Sequence, residues 1–252
     1  WSPSPKGGGL MRLDVLLVAR GLFDTRARAR AAIEAGGVTV DGEPAKAPAQ
    51  KVDEDAVLTA EPAHRFVGRA ALKLDHALTL WPVAVEGRVV LDVGASTGGF
   101  TEVCLERGAA HIYAVDVGQG QMHPAVAADP RVVNLEKADA RNLTPDIIDR
   151  APELIVCDVS FIGLAKALPT PLSLAAPGAD LVTLVKPQFE MENRGEVGRK
   201  GVVRDAEARA AALDRAVAWL GEQGWTVRET ADSPITGGDG NREYLVWATR
   251  RA

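Results

Sequence analysis

Asp158 follows the apolar run Leu154-Ile155-Val156-Cys157, and Lys186 follows Leu181-Val182-Thr183-Leu184-Val185. Apolar runs without in/out alternation read as parallel strands covered on both faces. Open α/β sheets gather their sites at the carboxyl ends of such strands. Pro187 stops the second run and leaves Lys186 at its lip. A lysine closing an apolar run is often only a snorkelling surface residue. An Asp ending the adjacent strand favours a site, because a carboxylate and an amine together can orient and deprotonate a hydroxyl.

A second constellation lies upstream. Leu91-Asp92-Val93-Gly94-Ala95-Ser96-Thr97-Gly98-Gly99-Phe100 reads as a strand, a glycine-rich turn and a helix start. Glycines there let the backbone approach a ligand closely. Ser96 stands where a dinucleotide motif wants its second glycine, which weakens a nicotinamide reading. Asp92, Asp116 and Asp139 end three successive strands. Asp92 suits an amino group better than a pyrophosphate, Asp116 can accept two ribose hydroxyls, and Asp139 could receive an adenine amino group. Three strand-end carboxylates suit S-adenosyl-L-methionine, which is cationic and carries no phosphate. The competing role is helix capping. For Asp139 the two roles stand level; for Asp92 and Asp116 the cofactor role is favoured.

The elements that must position these residues alternate strand and helix from about His64. Strands are predicted over 88–95, 111–117, 131–138, 154–159 and 180–185, with helices over 100–107 and 206–223. Two closing strands, 226–230 and 244–249, are expected with one antiparallel pairing. This is a doubly wound α/β domain with a mostly parallel seven-stranded sheet. Ahead of it, residues 11–63 read as a small α+β module. It has a helix through Leu13, Leu16, Leu17 and Arg20 stopped by Gly21, then a second helix capped by Asp24 or Thr25 and ended by Gly36-Gly37. A strand at Val38-Thr39-Val40, an Asp41-Gly42 hairpin turn and a strand segment over 51–60 follow. Residues 64–67 read as the linker, 68–252 as the larger domain, and 1–10 as an appended or frayed tail.

Composition bounds the function classes. The chain has 252 residues, enough to bury a full core without staples. Lys plus Arg is 29 and Asp plus Glu is 34, so the net charge of −5 argues against tight binding to generic RNA. No apolar run has the ~18 residues of a membrane span, and residues 1–10 lack the apolar region of a secretory signal. Cys104 and Cys157 lie inside apolar segments and read as reduced core thiols of a cytoplasmic protein. No Cys/His spacing resembles a zinc site, and no metal is expected.

Lys73, in Phe66-Val67-Gly68-Arg69-Ala70-Ala71-Leu72-Lys73-Leu74, and Glu243, in Asn241-Arg242-Glu243-Tyr244, would each be bland alone. Joined to Leu91–Glu102, Asp158-Val159-Ser160-Phe161-Ile162 and Val185-Lys186-Pro187-Gln188-Phe189-Glu190, they make the chain resemble the TlyA-type ribosomal-RNA 2'-O-methyltransferases, also called the hemolysin A family. The resemblance runs from Met11 to Arg250. It implies an FtsJ-like, S-adenosylmethionine-dependent methyltransferase domain with the tetrad Lys73, Asp158, Lys186 and Glu243. It also implies an N-terminal RNA-binding module of the ribosomal-protein S-four type. On that module Arg26 and Arg30 share a helix face near Arg20 and could grip phosphates; otherwise this is a solvated face with Glu34 paired to Arg30. Arg65, Phe66, Arg69, Arg199 and Lys200 are further expected RNA contacts, the last two in a basic Gly-rich loop over 193–204.

The implied reaction moves a methyl group to a cytidine ribose 2'-hydroxyl of ribosomal RNA in an assembled subunit. The large subunit is favoured, by a monomeric enzyme. Lys186 would act as the base, helped by desolvation and by the second cation Lys73. Asp158 would orient Lys186, and Glu243 would hold Lys73 or the nucleotide. A stacked target would have to leave its helix to react. Rival readings are a nicotinamide oxidoreductase, which has no use for Lys186 beside Asp158, a pore-forming hemolysin, and a non-catalytic ribosome-assembly factor.

Overall fold

The computed structural model describes residues 9–191, 201–237 and 239–251. It divides into two compact units, one ending at Arg65 and one starting at Phe66.

The first unit contains β1 (Leu10–Arg12), α1 (Leu13–Ala19), α2 (Arg26–Glu34), β2 (Val38–Val40), β3 (Glu43–Pro44), β4 (Lys51–Asp53) and β5 (Leu58–Ala60). Strand β1 pairs with β4, and β2 pairs with β3 and β5, all antiparallel. Residues 51–60 are therefore two strands in two different sheets, because the Asp53-Glu54-Asp55 turn separates them. Gly21 ends α1 with φ +70°, and Gly36 follows α2 with φ +79°. Thr25, not Asp24, caps α2 by accepting from the Arg28 amide at 3.3 Å. Asp24 instead pairs with Arg28 across one helical turn at 3.0 Å. Asp41 and Gly42 both have positive φ, as a two-residue hairpin turn requires. Leu13, Leu16, Leu17, Phe23, Ile33 and Val38 close the core.

The second unit opens with α3 (Ala71–Leu80), β6 (Val89–Val93), α4 (Gly99–Glu106), β7 (His111–Asp116), α5 (Pro124–Ala127) and β8 (Val132–Glu136). After a 3-10 turn at Ala140–Asn142 come β9 (Leu154–Cys157), α6 (Leu164–Ala167), α7 (Pro169–Leu174), β10 (Asp180–Val185) and α8 (Pro187–Glu190). The helix α9 (Ala206–Glu222) and strands β11 (Trp225–Asp232) and β12 (Tyr244–Arg250) complete it. The seven strands run in the order β11-β12-β10-β9-β6-β7-β8. Strands β6 to β10 pair in parallel, as their unbroken apolar runs demand. Strand β12 is antiparallel to both β10 and β11, so there are two antiparallel pairings rather than one. The chain crosses over through α9 to the sheet edge, then turns back and inserts β12 beside β10.

Two hydrophobic layers cover the sheet. Leu91, Val93, Ile155 and Leu181 lie on one face, and Val90, Val156, Val182 and Leu184 on the other. At ~25 cal/mol per Å² these fully buried side chains supply the main driving force for closing the sheet between its helices. Both cysteines are free and buried in these layers. No described helix is long and apolar enough to cross a membrane.

Candidate active site

Strand order reverses between β6 and β9, and the crevice at that point is where a doubly wound sheet binds ligands. A cavity of about 560 Å³ lies there. Gly94, Ser96, Asp116, Asp139 and Asp158 line it. Gly94 has φ +87°, and a Cβ on it would sit 3.0 Å from the Asp158 carbonyl oxygen. Only glycine lets the first turn close against the end of β9. Ser96 takes φ +46°, the left-handed conformation glycine would have supplied. Its amide donates to Asp116 Oδ2 at 2.8 Å, and the Gly118 amide donates to Oδ1 at 2.7 Å. Two backbone amides thus aim the Asp116 carboxylate along the cavity wall.

Asp139 also lines the cavity, but it caps the 3-10 turn through the Arg141 amide (2.9 Å) and pairs with the Arg141 guanidinium at 2.6 Å. The hydrogen bonds from Arg141 hold its carboxyl below the usual range. The capping role is therefore present in the structure.

Asp92 differs from the expectation of a cavity-wall carboxylate. It is fully buried beneath α4 and accepts from Thr101 Oγ1 at 2.6 Å, while its Oδ1 has no hydrogen-bond partner. Asp92 is the penultimate residue of β6. Side-chain alternation turns it into the helix-covered face, one residue short of the crevice. Ala95, Thr97, Gly98, Gly99 and Phe100 do not line the cavity either; Thr97 is exposed and the other four are buried. Gly99 instead permits close packing, since a Cβ there would lie 3.1 Å from the Ala71 amide nitrogen at the start of α3.

Burial pushes the Asp92 carboxyl up to about 7; the Thr101 hydrogen bond opposes this and the nearby Asp158 charge adds to it. The folded chain therefore keeps a proton between about pH 4 and 7 that the unfolded chain has released. Stability must fall as pH rises through that window. Asp92→Asn removes the titration. Its melting temperature relative to wild type is expected to improve from about pH 5 to about pH 8; a difference independent of pH would contradict the assignment.

The four sequence-predicted catalytic residues converge. Lys73 Nζ lies 2.6 Å from Glu243 Oε2 and 3.4 Å from Asp158 Oδ2. Lys186 Nζ lies 2.6 Å from Asp158 Oδ1. The result is one continuous charge chain, Glu243–Lys73–Asp158–Lys186, with all four side chains largely buried. The sheet sets it up. Strand β10 pairs with β12 up to Val185 opposite Tyr244, so Lys186 and Glu243 flank the same sheet end. Lys73 enters from the first turn of α3, which Gly99 lets approach. Only Asp158 of the four also lines the 560 Å³ cavity. Glu243 borders a second hollow of about 280 Å³ formed by Asp232 to Thr236 and Arg242. The charge chain thus spans the wall between two hollows. The sequence implies Lys73 as a second cation near Lys186, held by Glu243 or leaving Glu243 to the nucleotide; in the structure Glu243 contacts Lys73, and the Asp158 carboxylate stands between the two amines.

Some site residues were not foreseen. Asn241 is buried, accepts from the Val203 amide at 2.9 Å and donates to the Gly201 carbonyl at 2.8 Å. It ties residues 201–203 to the turn before Glu243. Phe161 is 89% exposed at the cavity rim with φ +68°. Ser160 lines the same rim.

The expected RNA contacts scatter. In the first unit, Arg26 is half exposed and held at 2.9 Å by the fully buried Asp14, which also takes Arg12 at 3.0 Å. The Arg12 hydrogen bonds lead in holding the Asp14 carboxyl down to about 2. Arg30 is exposed on the same helix. Arg20 folds back and donates to the backbone carbonyls of Ala56 and Glu54. In the second unit, Phe66 is only 2% exposed and packs in the core beneath α3, so its ring has no surface to offer RNA; this corrects the expectation. Arg69 donates to the Thr236 carbonyl at 3.1 Å, and Arg65, the last residue of the first unit, is exposed. Arg199 and Lys200 lie outside the described residues.

Comparison with known proteins agrees with this geometry. The FtsJ-like methyltransferase family matches residues 66–250, and the S4 domain matches residues 11–58. The chain is 47% identical over 238 residues to the 16S/23S rRNA (cytidine-2'-O)-methyltransferase TlyA of Mycobacterium tuberculosis, covering 94% of this chain and 88% of that one. It is 36% identical over 185 residues to the 23S rRNA (cytidine-2'-O)-methyltransferase TlyA of Campylobacter jejuni, covering 72% and 70%. A solved Streptococcus thermophilus structure, provisionally described as a hemolysin, superposes with TM-score 0.77 at 37% identity over 96% of this chain and 89% of its own. A Listeria monocytogenes structure, provisionally described as an S-adenosylmethionine-dependent methyltransferase, shares the fold over 73% of this chain and 100% of its own, with TM-score 0.55 at 13% identity. With a charge chain of Lys, Asp, Lys and Glu at the rim of a methyltransferase crevice and an S4 module ahead of it, this protein belongs to the TlyA family of FtsJ-like methyltransferases.

Proposed function

We propose that the chain methylates the ribose 2'-hydroxyl of a cytidine in ribosomal RNA. The observation that carries this reading is the charge chain Glu243–Lys73–Asp158–Lys186 meeting the crevice at Asp158. The crevice suits S-adenosylmethionine by its donor set: carboxylates near three strand ends and a glycine turn that a Cβ would block, with the lining Arg141 neutralised by Asp139 at 2.6 Å. Asp116 would accept the cofactor's ribose hydroxyls, with Gly94 and Ser96 supplying backbone. When bound, the cofactor supplies an activated methyl group on sulfur. The protein's part is then to hold the target hydroxyl in line and take its proton. Lys186 Nζ receives that proton, Asp158 aims Lys186, and Glu243 holds Lys73 against the other Asp158 oxygen. Burial of all four side chains limits their contact with water.

Arg26 and Arg30 of the S4 module, with Arg65, contribute phosphate contacts. Arg199 and Lys200 add to them by their place in the sequence. The net charge of −5 supports recognition of a folded ribosomal subunit surface over generic RNA. Large-subunit RNA is the favoured target, because both named relatives carry 23S in their activity. The protein acts as a monomer in the cytoplasm, on assembled subunits.

Two measurements test the reading. Calorimetry should detect one S-adenosylmethionine per chain, and labelled cofactor should transfer its methyl to isolated large subunits. Absence of either contradicts it. Asp116→Ala removes the acceptor that two amides aim into the crevice. Loss of charge-assisted hydrogen bonds is expected to weaken cofactor binding roughly 10- to 100-fold, and unchanged affinity would remove Asp116 from the site.

A further inference from the structure

Lys186 has a second partner besides Asp158. Its Nζ donates to Ser160 Oγ at 2.7 Å. Ser160 also lines the 560 Å³ cavity, so one hydroxyl touches both the proposed base and the crevice wall. To receive the proton of a hydroxyl, Lys186 must be a neutral amine, with two N–H directions and one lone pair. Ser160 Oγ takes one N–H at 2.7 Å, while Asp158 Oδ1 lies 2.6 Å from Nζ as a close polar contact outside hydrogen-bond geometry. The two contacts hold Nζ from two sides, so its lone pair can face the proton of a substrate hydroxyl. A four-carbon side chain held at one point can swing; held at two it presents Nζ at a fixed place.

The backbone around Ser160 is built to keep this contact. Phe161 has φ +68°, a left-handed conformation rare for a non-glycine residue and frequent at functional sites. That turn sends the Phe161 ring outward while Ser160 faces Lys186. Two further contacts tie the same segments in the same order. The Phe189 ring lies 5.5 Å from the Phe161 ring, and Glu190 Oε1 accepts from the Leu164 amide at 2.8 Å. Gly163 makes the fit possible, since a Cβ on it would sit 2.9 Å from the Phe189 carbonyl oxygen. Residues 186–190 are thus fastened alongside residues 158–164, with Ser160 the member that reaches the lysine.

We propose that Ser160 is a positioning residue for methyl transfer, whose hydroxyl fixes the direction of Lys186 Nζ beside the cofactor crevice. The proposal rests on the methyl-transfer reading above. It assigns Ser160 no bond to the reacting atoms and no share in cofactor affinity.

The test uses the full chain as Ser160→Ala and Ser160→Thr, beside wild type. Losing one hydrogen bond to the amine is expected to lower kcat on large ribosomal subunits roughly 10- to 100-fold. The KM for S-adenosylmethionine and its calorimetric affinity stay within about twofold in Ser160→Ala, and Ser160→Thr, which keeps the hydroxyl, recovers most of the rate. A second readout needs no turnover. Trace acylation of the cofactor-free chain, followed by mass spectrometry, reports how freely each lysine amine reacts. In Ser160→Ala the Lys186 rate is expected to rise several-fold with the other lysines unchanged, because one of its two contacts is gone. An unchanged Lys186 acylation rate overturns the proposal, as does wild-type kcat in Ser160→Ala, a Thr variant no better than Ala, or a rate loss accompanied by weaker cofactor binding. If wild type transfers no methyl group, the methyl-transfer reading fails on its own, while the acylation result still decides whether Ser160 holds Lys186.

Discussion

Lys186→Ala is expected to abolish methyl transfer while leaving S-adenosylmethionine affinity within about twofold. A positioned acid–base group contributes roughly 10² to 10⁴ in rate. Lys186 is the amine at the end of β10, with Nζ 2.6 Å from Asp158 Oδ1 and donating to Ser160 Oγ at 2.7 Å. Its side chain forms no part of the crevice wall, so the cofactor loses no contact. The variant keeps its fold, because Asp158 retains Lys73 at 3.4 Å. The check pairs a single-turnover rate with calorimetry. Full activity removes Lys186 from the mechanism, whereas a matched loss of rate and affinity makes it a cofactor contact instead.

Glu243→Ala is expected to give the second largest effect, and it falls on stability as well as rate. Glu243 is nearly inaccessible and holds Lys73 Nζ at 2.6 Å. Removing it leaves a buried ammonium whose remaining partner, Asp158, is shared with Lys186. Breaking a buried pair from one side costs about 3–5 kcal/mol, because the surviving charge stays desolvated. For a unit of this size that corresponds to a fall in melting temperature of roughly 10 °C. The companion variant separates the two roles. Glu243→Ala with Lys73→Met removes both charges and is expected to regain most of the lost stability, while methyl transfer stays lost. A double variant as unstable as the single one would mean the damage is packing at the β12 entrance rather than an orphaned charge.

The strand framework was legible because buried parallel strands write themselves as apolar runs, and their ends as the first charged residue. That rule located Asp158 and Lys186 from the residues alone. Lys73 and Glu243 were not legible this way. Each sits in an ordinary amphipathic context, and only the register of β12 against β10 and the approach of α3 bring them in. Asp92 shows where the rule fails. It stands one residue before its strand's end, and the pleat turns it inward, whereas Asp116 is the last residue of β7 and reaches the crevice. Ser160 had no periodic signal, being a small polar residue in a loop. Arg20 also closes a loop on backbone carbonyls, and Phe66, in the expected linker, fills the core as aromatic rings more often do. The second antiparallel pairing could not be read because it depends on where β12 inserts, not on its composition.

Whether the charge chain at Asp158 serves a ribose hydroxyl of ribosomal RNA is read most directly by incubating isolated ribosomal subunits with the chain and methyl-labelled S-adenosylmethionine, then mapping the label by nuclease digestion. Label is expected on the 2'-oxygen of a cytidine in large-subunit RNA, lost with Lys186→Ala. Label on a base, or on protein, or label retained by that variant would contradict that role.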